Sequence, residues 1–463
     1  ATVQAVHEPS GTRYTTVTNV DGRYAIQGMR VGGPYKVSVS YIGYNKKEFT
    51  GITLQLGETY NLNAKMSEDA SQLEEVVVSA HASKFAGEKT GASTNISQVQ
   101  MQTIPTISRS ISDLARLSPY ANGMSFAGGD GRSTNFTLDG ANLNNNFGLT
   151  SGLPGGGNPI SMDAIDEMQV VVSPFDVRQT NFIGGGINAV TKSGTNTFKG
   201  SAYIYYNNEN MHGNRVANTD LGERGTNRST TYGFTLGGPI VKDKLFFFAN
   251  AEYTTIPAVA NRWAPSDNGK ANLDQYISRT TKNDLDRVSK FLKEKYGYDP
   301  GSYTDWGADE HNLKLLGRLD WNINNNNKLS FRYQLNDSYK DVYGSGNYTY
   351  YFNNSTYRMN NKTNSFVAEL NSHINNNLYN ELRAGVTFVR DNREVPYAGP
   401  NIYINTSKKV NLGTEYSSGA NSLDQDIWTL EDNLSIYAGN HTITVGTHNE
   451  IYKMKNLFLQ AAY

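Results

Sequence analysis

From about residue 197 onward, apolar and polar residues alternate over stretches longer than a soluble strand usually runs. Leu313, Leu315, Gly317, Leu319, Trp321 and Ile323 alternate with Lys314, Arg318, Asp320 and Asn322. The pattern returns at Leu329, Phe331, Tyr333 and Leu335, at Phe366, Ala368 and Leu370, at Leu382, Ala384, Val386 and Phe388, and at Ile443 and Val445. Successive strand side chains point to opposite faces, so each stretch presents one apolar face and one polar, charged face. Held over roughly ten residues, that is what a tilted strand needs when one face meets lipid and the other a wet lumen.

The connections sharpen this reading. Short turns fall at Ile240–Lys244, Asn324–Asn327, Asn375–Asn377 and Ala438–Asn440. Long polar segments fall between them, at about 208–228, 255–310, 338–362 and 391–425. Short and long alternate across nine strands, an asymmetry that belongs to outer-membrane barrels. Within the second long segment, Leu285, Val288 and Leu292 make a helical stripe, which predicts a helix over Lys282–Tyr296.

Composition is compatible with that and excludes alternatives. At 463 residues two to four units are expected. Hydrophobic content is 37 %, mean hydropathy is −0.56, and no run approaches the ~18–20 apolar residues of a membrane helix. Barrel strands average out polar, and the 30 tyrosines suit the aromatic girdles at their interfaces. There is no cysteine, hence no disulfide framework and no thiolate metal site. The 42 basic and 43 acidic residues give no electrostatic case for nucleic acid. The chain opens without a basic n-region or apolar h-region, and it ends inside a predicted strand, so both ends are expected to be incomplete.

The segment Ile165–Gly200 leads into the alternating part. Met168-Gln-Val-Val-Val172 reads as a buried strand; Gly184–Gly186 bends the chain; Ile187–Thr191 is a second strand, and Lys192–Asn196 a turn. This order resembles the end of the plug domain in TonB-dependent outer-membrane transporters. Phe136-Thr-Leu-Asp139-Gly140-Ala-Asn-Leu143 resembles another plug element, a strand with a tight turn. Gly237-Gly-Pro-Ile-Val-Lys-Asp-Lys-Leu-Phe-Phe-Phe248 is closest to the Oar-like, SusC-related subgroup. The N-terminal pattern, with turns at Asp21-Gly22 and Gly32-Gly-Pro34 between strands at Tyr14–Val17, Tyr24–Ile26 and Tyr35–Tyr41, resembles the carboxypeptidase regulatory-like module. The resemblance implies that a first strand before Ala1 is expected to be missing, and that the module carries no catalytic residues.

The expected fold is therefore mainly β. Residues 1–66 form a transthyretin-like β-sandwich, 67–84 a linker, 85–196 a mixed α/β plug, and 197–463 the first part of a 22-stranded antiparallel transmembrane β-barrel, the strand number coming from the resemblance. Ser110–Pro119 is a short helix of the plug, with Ile111, Leu114 and Leu117 on one face. In the linker, Glu74, Glu75, Val76, Val77, Val78 and Ser79 form a lone extended segment suited to adding onto another sheet. Its position is similar to that of the TonB box; the alternative is the first strand of the plug. The polar stretch Asn144–Asn158 reads as an apical plug loop or a disordered connector. In the first case Asn144, Asn145, Asn146, Phe147, Leu153 and Pro154 are the expected ligand contacts.

No catalytic motif is present. The seven histidines are scattered, and Gly184–Gly186 opens a strand without dinucleotide spacing. Asp163, Asp166 and Glu167 cluster on what reads as an amphipathic turn, where acidic bias is ordinary. No cofactor and no metal are expected. The resemblance implies an active transporter that engages periplasmic TonB and sits in outer-membrane lipid, with a surface lipoprotein as a further partner. The alternative is a barrel that acts as scaffold, surface-complex subunit or secretion-linked component.

Overall fold

The computed structural model describes residues 1–68, 76–79, 92–106, 109–144, 146–147, 153, 158–172, 174, 176–220, 228–260, 263–304, 307–342, 344–405 and 408–460. The chain builds three sheets that matter for function.

The N-terminal sheet contains β1 (Thr2–His7), β2 (Thr12–Val17), β3 (Gly32–Ser40), β4 (Lys47–Leu54) and β5 (Val76–Ser79), in the order β2-β1-β3-β4-β5. Alternate residues of β1–β3 turn inward, and Val3, Tyr14, Tyr35, Val37, Phe49 and Ile52 form the core. The strand expected at Tyr24–Ile26 joins no ladder. Tyr24, Ile26 and Met29 instead lie across the sheet with Tyr60 and Leu62, and the Tyr24 hydroxyl donates to the Leu62 carbonyl at 2.8 Å. The second layer is thus held by side chains and not by a backbone ladder.

The plug sheet contains β6 (Ala92–Ser97), β7 (Asn135–Leu138), β8 (Ala141–Asn142), β9 (Ile165–Val172) and β10 (Gly186–Thr191), in the order β8-β7-β10-β9-β6. β10 runs parallel to β7 and the other pairs are antiparallel. Strand β9 is buried along nearly its whole length, so its apolar residues do not alternate: Val170, Val171 and Val172 follow one another, and Glu167 and Gln169 are buried with them. Two helices, α1 (Gln98–Thr103) and α2 (Ile111–Ala115), both start at a serine capping box, Ser97 with Gln100 and Ser110 with Asp113. Met101, Ile111 and Leu114 bury against Phe136, Leu138, Met168 and Val170.

The third sheet is an antiparallel meander of β11 (Lys199–Asn207), β12 (Ser229–Val241), β13 (Leu245–Ala260), β14 (Gly307–Asn322), β15 (Asn327–Val342), β16 (Tyr357–Asn375), β17 (Leu378–Glu394), β18 (Ala420–Ala438) and β19 (His441–Leu459), each paired to the next. The nine strands are those the alternation predicts. Leu319 pairs with Phe331 on the outer face, where both are 42 % exposed, and Arg318 pairs with Arg332 on the inner face. A spin label at Leu315 should therefore report lipid accessibility, whereas one at Arg318, on the plug-facing side, should not; equal lipid accessibility at the two would refute the barrel.

Several strands run further than expected, up to 19 residues, although roughly ten cross a bilayer. Residues 357–362, read from sequence as loop, are laddered to β15, and Lys362–Asp337 (3.1 Å) and Arg358–Asp341 (2.7 Å) bridge the pair. Beyond the lipid neither face needs to be apolar, so the alternation that marks a membrane strand vanishes while the ladder continues.

The long connections also fold. The helix α3 (Lys282–Tyr296) forms as predicted, between a Thr281–Asp284 capping box and Gly297 in the left-handed region (φ 65°). Its Leu285 buries with Tyr350, Phe352, Val410 and Leu412 from two other long connections. Strands Thr349–Tyr351, Lys409–Gly413 and Asn401–Asn405 complete this module on the long-loop end.

Candidate functional site

The plug meets the barrel wall through charge. The two-residue hairpin turn between β7 and β8 is Asp139-Gly140, both at positive φ (46° and 76°), the turn whose twist matches the flanking strands. A side chain at Gly140 would collide with the Arg383 guanidinium. The Asp139 carboxylate accepts from Thr191 N and Thr191 Oγ1, both at 2.9 Å, so it ties β7 to the end of β10. From the wall, Arg318 Nη1 approaches Asp139 to 3.2 Å and Arg332 Nη1 to 3.5 Å. Arg318 also donates to the Thr191 carbonyl at 3.0 Å, and Arg332 to the Leu138 carbonyl at 3.0 Å. One carboxylate on a tight turn thereby organises two buried guanidiniums from β14 and β15.

A second fastening lies at Glu252 on β13. It accepts from Lys314 Nζ (2.9 Å), Tyr203 OH (2.9 Å) and Ser161 Oγ (2.7 Å), the last from the plug. Arg109 pairs with Asp163 at 2.5 Å and lies 3.7 Å above the Tyr205 ring. Gln334 Nε2 donates to the Pro159 carbonyl at 2.7 Å. Among the described residues, Asn158 Oδ1, Gln334 Oε1 and Asn336 Oδ1 are buried without a protein partner, and water is their natural complement. Of the wall's described residues only Phe248 and Leu316 join the plug's apolar core. A cavity of about 1790 Å³ opens between the N-terminal sheet, the plug and the wall.

The sequence-predicted contacts separate on inspection. Glu74, Glu75, Asn145 and Pro154 lie outside the described residues. Val76, Val77, Val78 and Ser79 form β5, paired in parallel to β4 of the N-terminal sheet; they join neither a free linker nor the plug sheet. Asn144 turns inward, accepting from Phe136 N at 2.7 Å and donating to Asn135 Oδ1 at 2.6 Å. Leu153 is 7 % exposed and sits in the plug core. Asn146 and Phe147 are half-buried. Sequence reasoning put Arg318 and Asp320 on the polar face of their strand but did not find Asp139 as the partner of Arg318 and Arg332; the signal was an acidic residue at a forced turn facing a cationic strand face.

The acidic cluster is also resolved. Only Asp163 lies in the short turn of 3-10 helix at Met162–Ala164, while Asp166 and Glu167 belong to β9. Among the described residues no group of three or more His, Cys, Asp or Glu is placed to hold a metal ion. Glu167 accepts from Leu56 N of the N-terminal unit at 3.1 Å. Burial pushes its carboxyl up to about 7 from 4.5; that hydrogen bond opposes the rise, and Asp166 and Glu58 add to it. A carboxyl held above its ordinary value favours the folded plug while protonated, and that benefit is lost as pH rises from the unfolded value through about 7. The plug's melting temperature should therefore fall between about pH 5 and pH 7, and Glu167→Gln should flatten that fall.

With this geometry in place, comparison with known proteins decides the family. An outer membrane beta barrel domain model matches residues 190–463, more than half of the chain. The chain belongs to that family. A carboxypeptidase regulatory-like domain model matches residues 1–67. The chain is 26 % identical over 342 residues to the TonB-dependent transporter Oar of Myxococcus xanthus, across 68 % of this chain and 30 % of that protein. It is similar in fold to the outer membrane transporter YddB from Escherichia coli (TM-score 0.55, 13 % identity, 78 % of this chain and 48 % of that one). It is likewise similar to the siderophore receptor PirA from Pseudomonas aeruginosa (TM-score 0.50, 13 % identity, 80 % and 49 %). The chain thus spans about a third of the curated relative and about half of the solved structures. It is an outer-membrane β-barrel protein similar to TonB-dependent transporters, and the relatives named above are transporters and receptors.

Proposed function

We propose that the receptor is an energised importer: a substrate captured on the long-loop side passes the wall when TonB loosens the plug from the periplasm. The observation that carries this reading is the plug's attachment through charged and hydrogen-bonded contacts centred on Asp139 and Glu252. Such contacts exchange for water as they part, whereas apolar packing of equal area loses its full burial energy. The outer membrane sustains no useful potential, but the inner one is worth about 2.3 kcal/mol per charge per 100 mV. TonB would deliver that work through an extended segment, and Val76–Ser79 is the segment we assign. The substrate would meet the loop around Asn144, Asn145, Asn146, Phe147, Leu153 and Pro154; of these, Asn146 and Phe147 are the half-buried, reachable members.

A second reading has its own support. The long connections fold into a module with a buried core and with Tyr348, Tyr403 and Tyr416 exposed on it, a surface suited to a lipoprotein or other surface partner in a non-importing complex. One experiment separates the two. The compound that co-purifies with the native receptor is identified by mass spectrometry, isotope-labelled and offered to cells. Import predicts accumulation that falls at least about tenfold with a protonophore or without TonB; accumulation indifferent to both supports the scaffold.

A further inference from the structure

The N-terminal unit does not hang free of the barrel. Its Arg30 donates to Ser193 Oγ at 2.6 Å and to the Gly194 carbonyl at 3.2 Å, lies 3.9 Å from Asp320, and sits 5.2 Å from the centre of the Phe246 ring. Ser193 and Gly194 are the residues where the plug becomes the barrel, so this one guanidinium joins the N-terminal unit, that junction and the wall. Around it, Asn196 N donates to the Pro9 carbonyl (2.8 Å), Asn322 Nδ2 to Thr12 Oγ1 (3.0 Å), and Lys328 Nζ lies 4.3 Å over the Tyr14 ring. These contacts line the end of the barrel that carries the short turns.

The same unit also grips the plug, through the turn that follows β4. Leu56 N donates to Glu167 Oε1, while the Leu56 carbonyl accepts from Gln169 Nε2 at 2.7 Å and from Asn95 Nδ2 at 3.1 Å. Plug strands β9 and β6 therefore both hang on one turn. The strand leading into that turn carries β5, in the register Lys47↔Val76, Glu48↔Val77, Phe49↔Val78 and Thr50↔Ser79. β5 is the last strand of its sheet, and among the described residues its far edge is unpaired.

We propose that the N-terminal unit is a second gate in series with the plug, and that TonB acts on it first. The inference rests on the assignment of Val76–Ser79 as the TonB-contacting segment. TonB's strand adds to the open edge of β5 as a sixth strand, and the pull then falls on the whole sheet. Within the sheet the load is shared by adjacent backbone bonds across β5 and β4. At the rim it falls on scattered side-chain contacts that water reaches one by one, so the rim yields before the ladder. The unit swings away from Ser193, Asp320 and Asn322, uncovers the periplasmic mouth, and passes tension through Leu56 to β9 and β6. The plug is loosened second.

The test is single-molecule pulling of the full-length receptor in bilayers through the purified periplasmic domain of TonB. The native protein should give two successive events. Arg30→Glu sets a carboxylate against Asp320 and should lower the force of the first event by at least half without changing the second. Because that variant also disturbs the junction, a second one guards the result. Thr12→Cys with Asn322→Cys, joined by a reducible bis-thiosulfonate in 463 residues that hold no cysteine, should remove the first event until the tether is reduced. A single event of equal force in the native, Arg30→Glu and tethered proteins, with TonB cross-linked at Val76–Ser79, overturns the series gate and leaves the TonB assignment standing. Cross-linking of TonB elsewhere overturns both.

Discussion

Asp139→Ala should unseat the plug in the absence of any ligand. The substitution removes the acceptor of two Thr191 hydrogen bonds and the partner of Arg318 and Arg332, whose side chains are 14 % and 3 % exposed. Removing one member of a buried charge cluster costs about 3–5 kcal/mol, because the charges left behind are neither solvated nor paired. Against a typical stability of about 5–15 kcal/mol for a domain, that loss is large. Arg318 keeps Asp320 at 2.9 Å, whereas among the described residues Asp139 is the one carboxylate within ion-pair distance of Arg332; the greater share of the effect should come from Arg332. The plug should therefore melt well before the barrel in calorimetry, and cells should become sensitive to a large antibiotic that the intact outer membrane excludes. Asp139→Asn, which retains an acceptor for Thr191 but loses the charge, should fall between. Unchanged melting would mean that the wall's contacts at Glu252 hold the plug by themselves.

One of the two variants Val77→Pro and Val78→Pro should abolish capture by TonB while the receptor still inserts and binds its ligand. Proline removes a backbone donor and fixes φ. In a strand each residue directs its N–H and C=O to one edge, and the next residue directs them to the other. Val77→Pro and Val78→Pro therefore strike opposite edges of β5: one the bond to β4, the other the edge open to a new strand. The variant that blocks the open edge should lose TonB cross-linking by at least about tenfold, equivalent to about 1.4 kcal/mol. The other should leave TonB bound but free β5 from its sheet. Equal, undiminished cross-linking in both would place the TonB contact outside Val76–Ser79.

How much of this was legible beforehand depends on the range of the interaction. The strands at Leu313–Ile323 and Leu329–Leu335, the helix Lys282–Tyr296 and the run Met168–Val172 were readable because which face is buried is written in the local period. The polar ends of β15 and β16 were not, since in water both faces of a ladder are polar and the period carries no contrast. The short connections and the Asp139-Gly140 turn were readable from backbone chemistry, which is local too.

What only the tertiary structure decided is who meets whom. Arg318 and Asp139 lie 179 positions apart, and nothing in either neighbourhood names the other; the charge on each shows only that a partner or water is needed. Leu285, Tyr350 and Val410 come from three connections that each look too polar to hold a core, and they make one together. Val76–Ser79 was visible as a strand without a sheet, and the sequence could not say that β4 would take it. Period and turn chemistry determine which side of an element is dry and where it ends. Pairing across the fold depends on the summed geometry of every element between the partners, and no short window of sequence contains it.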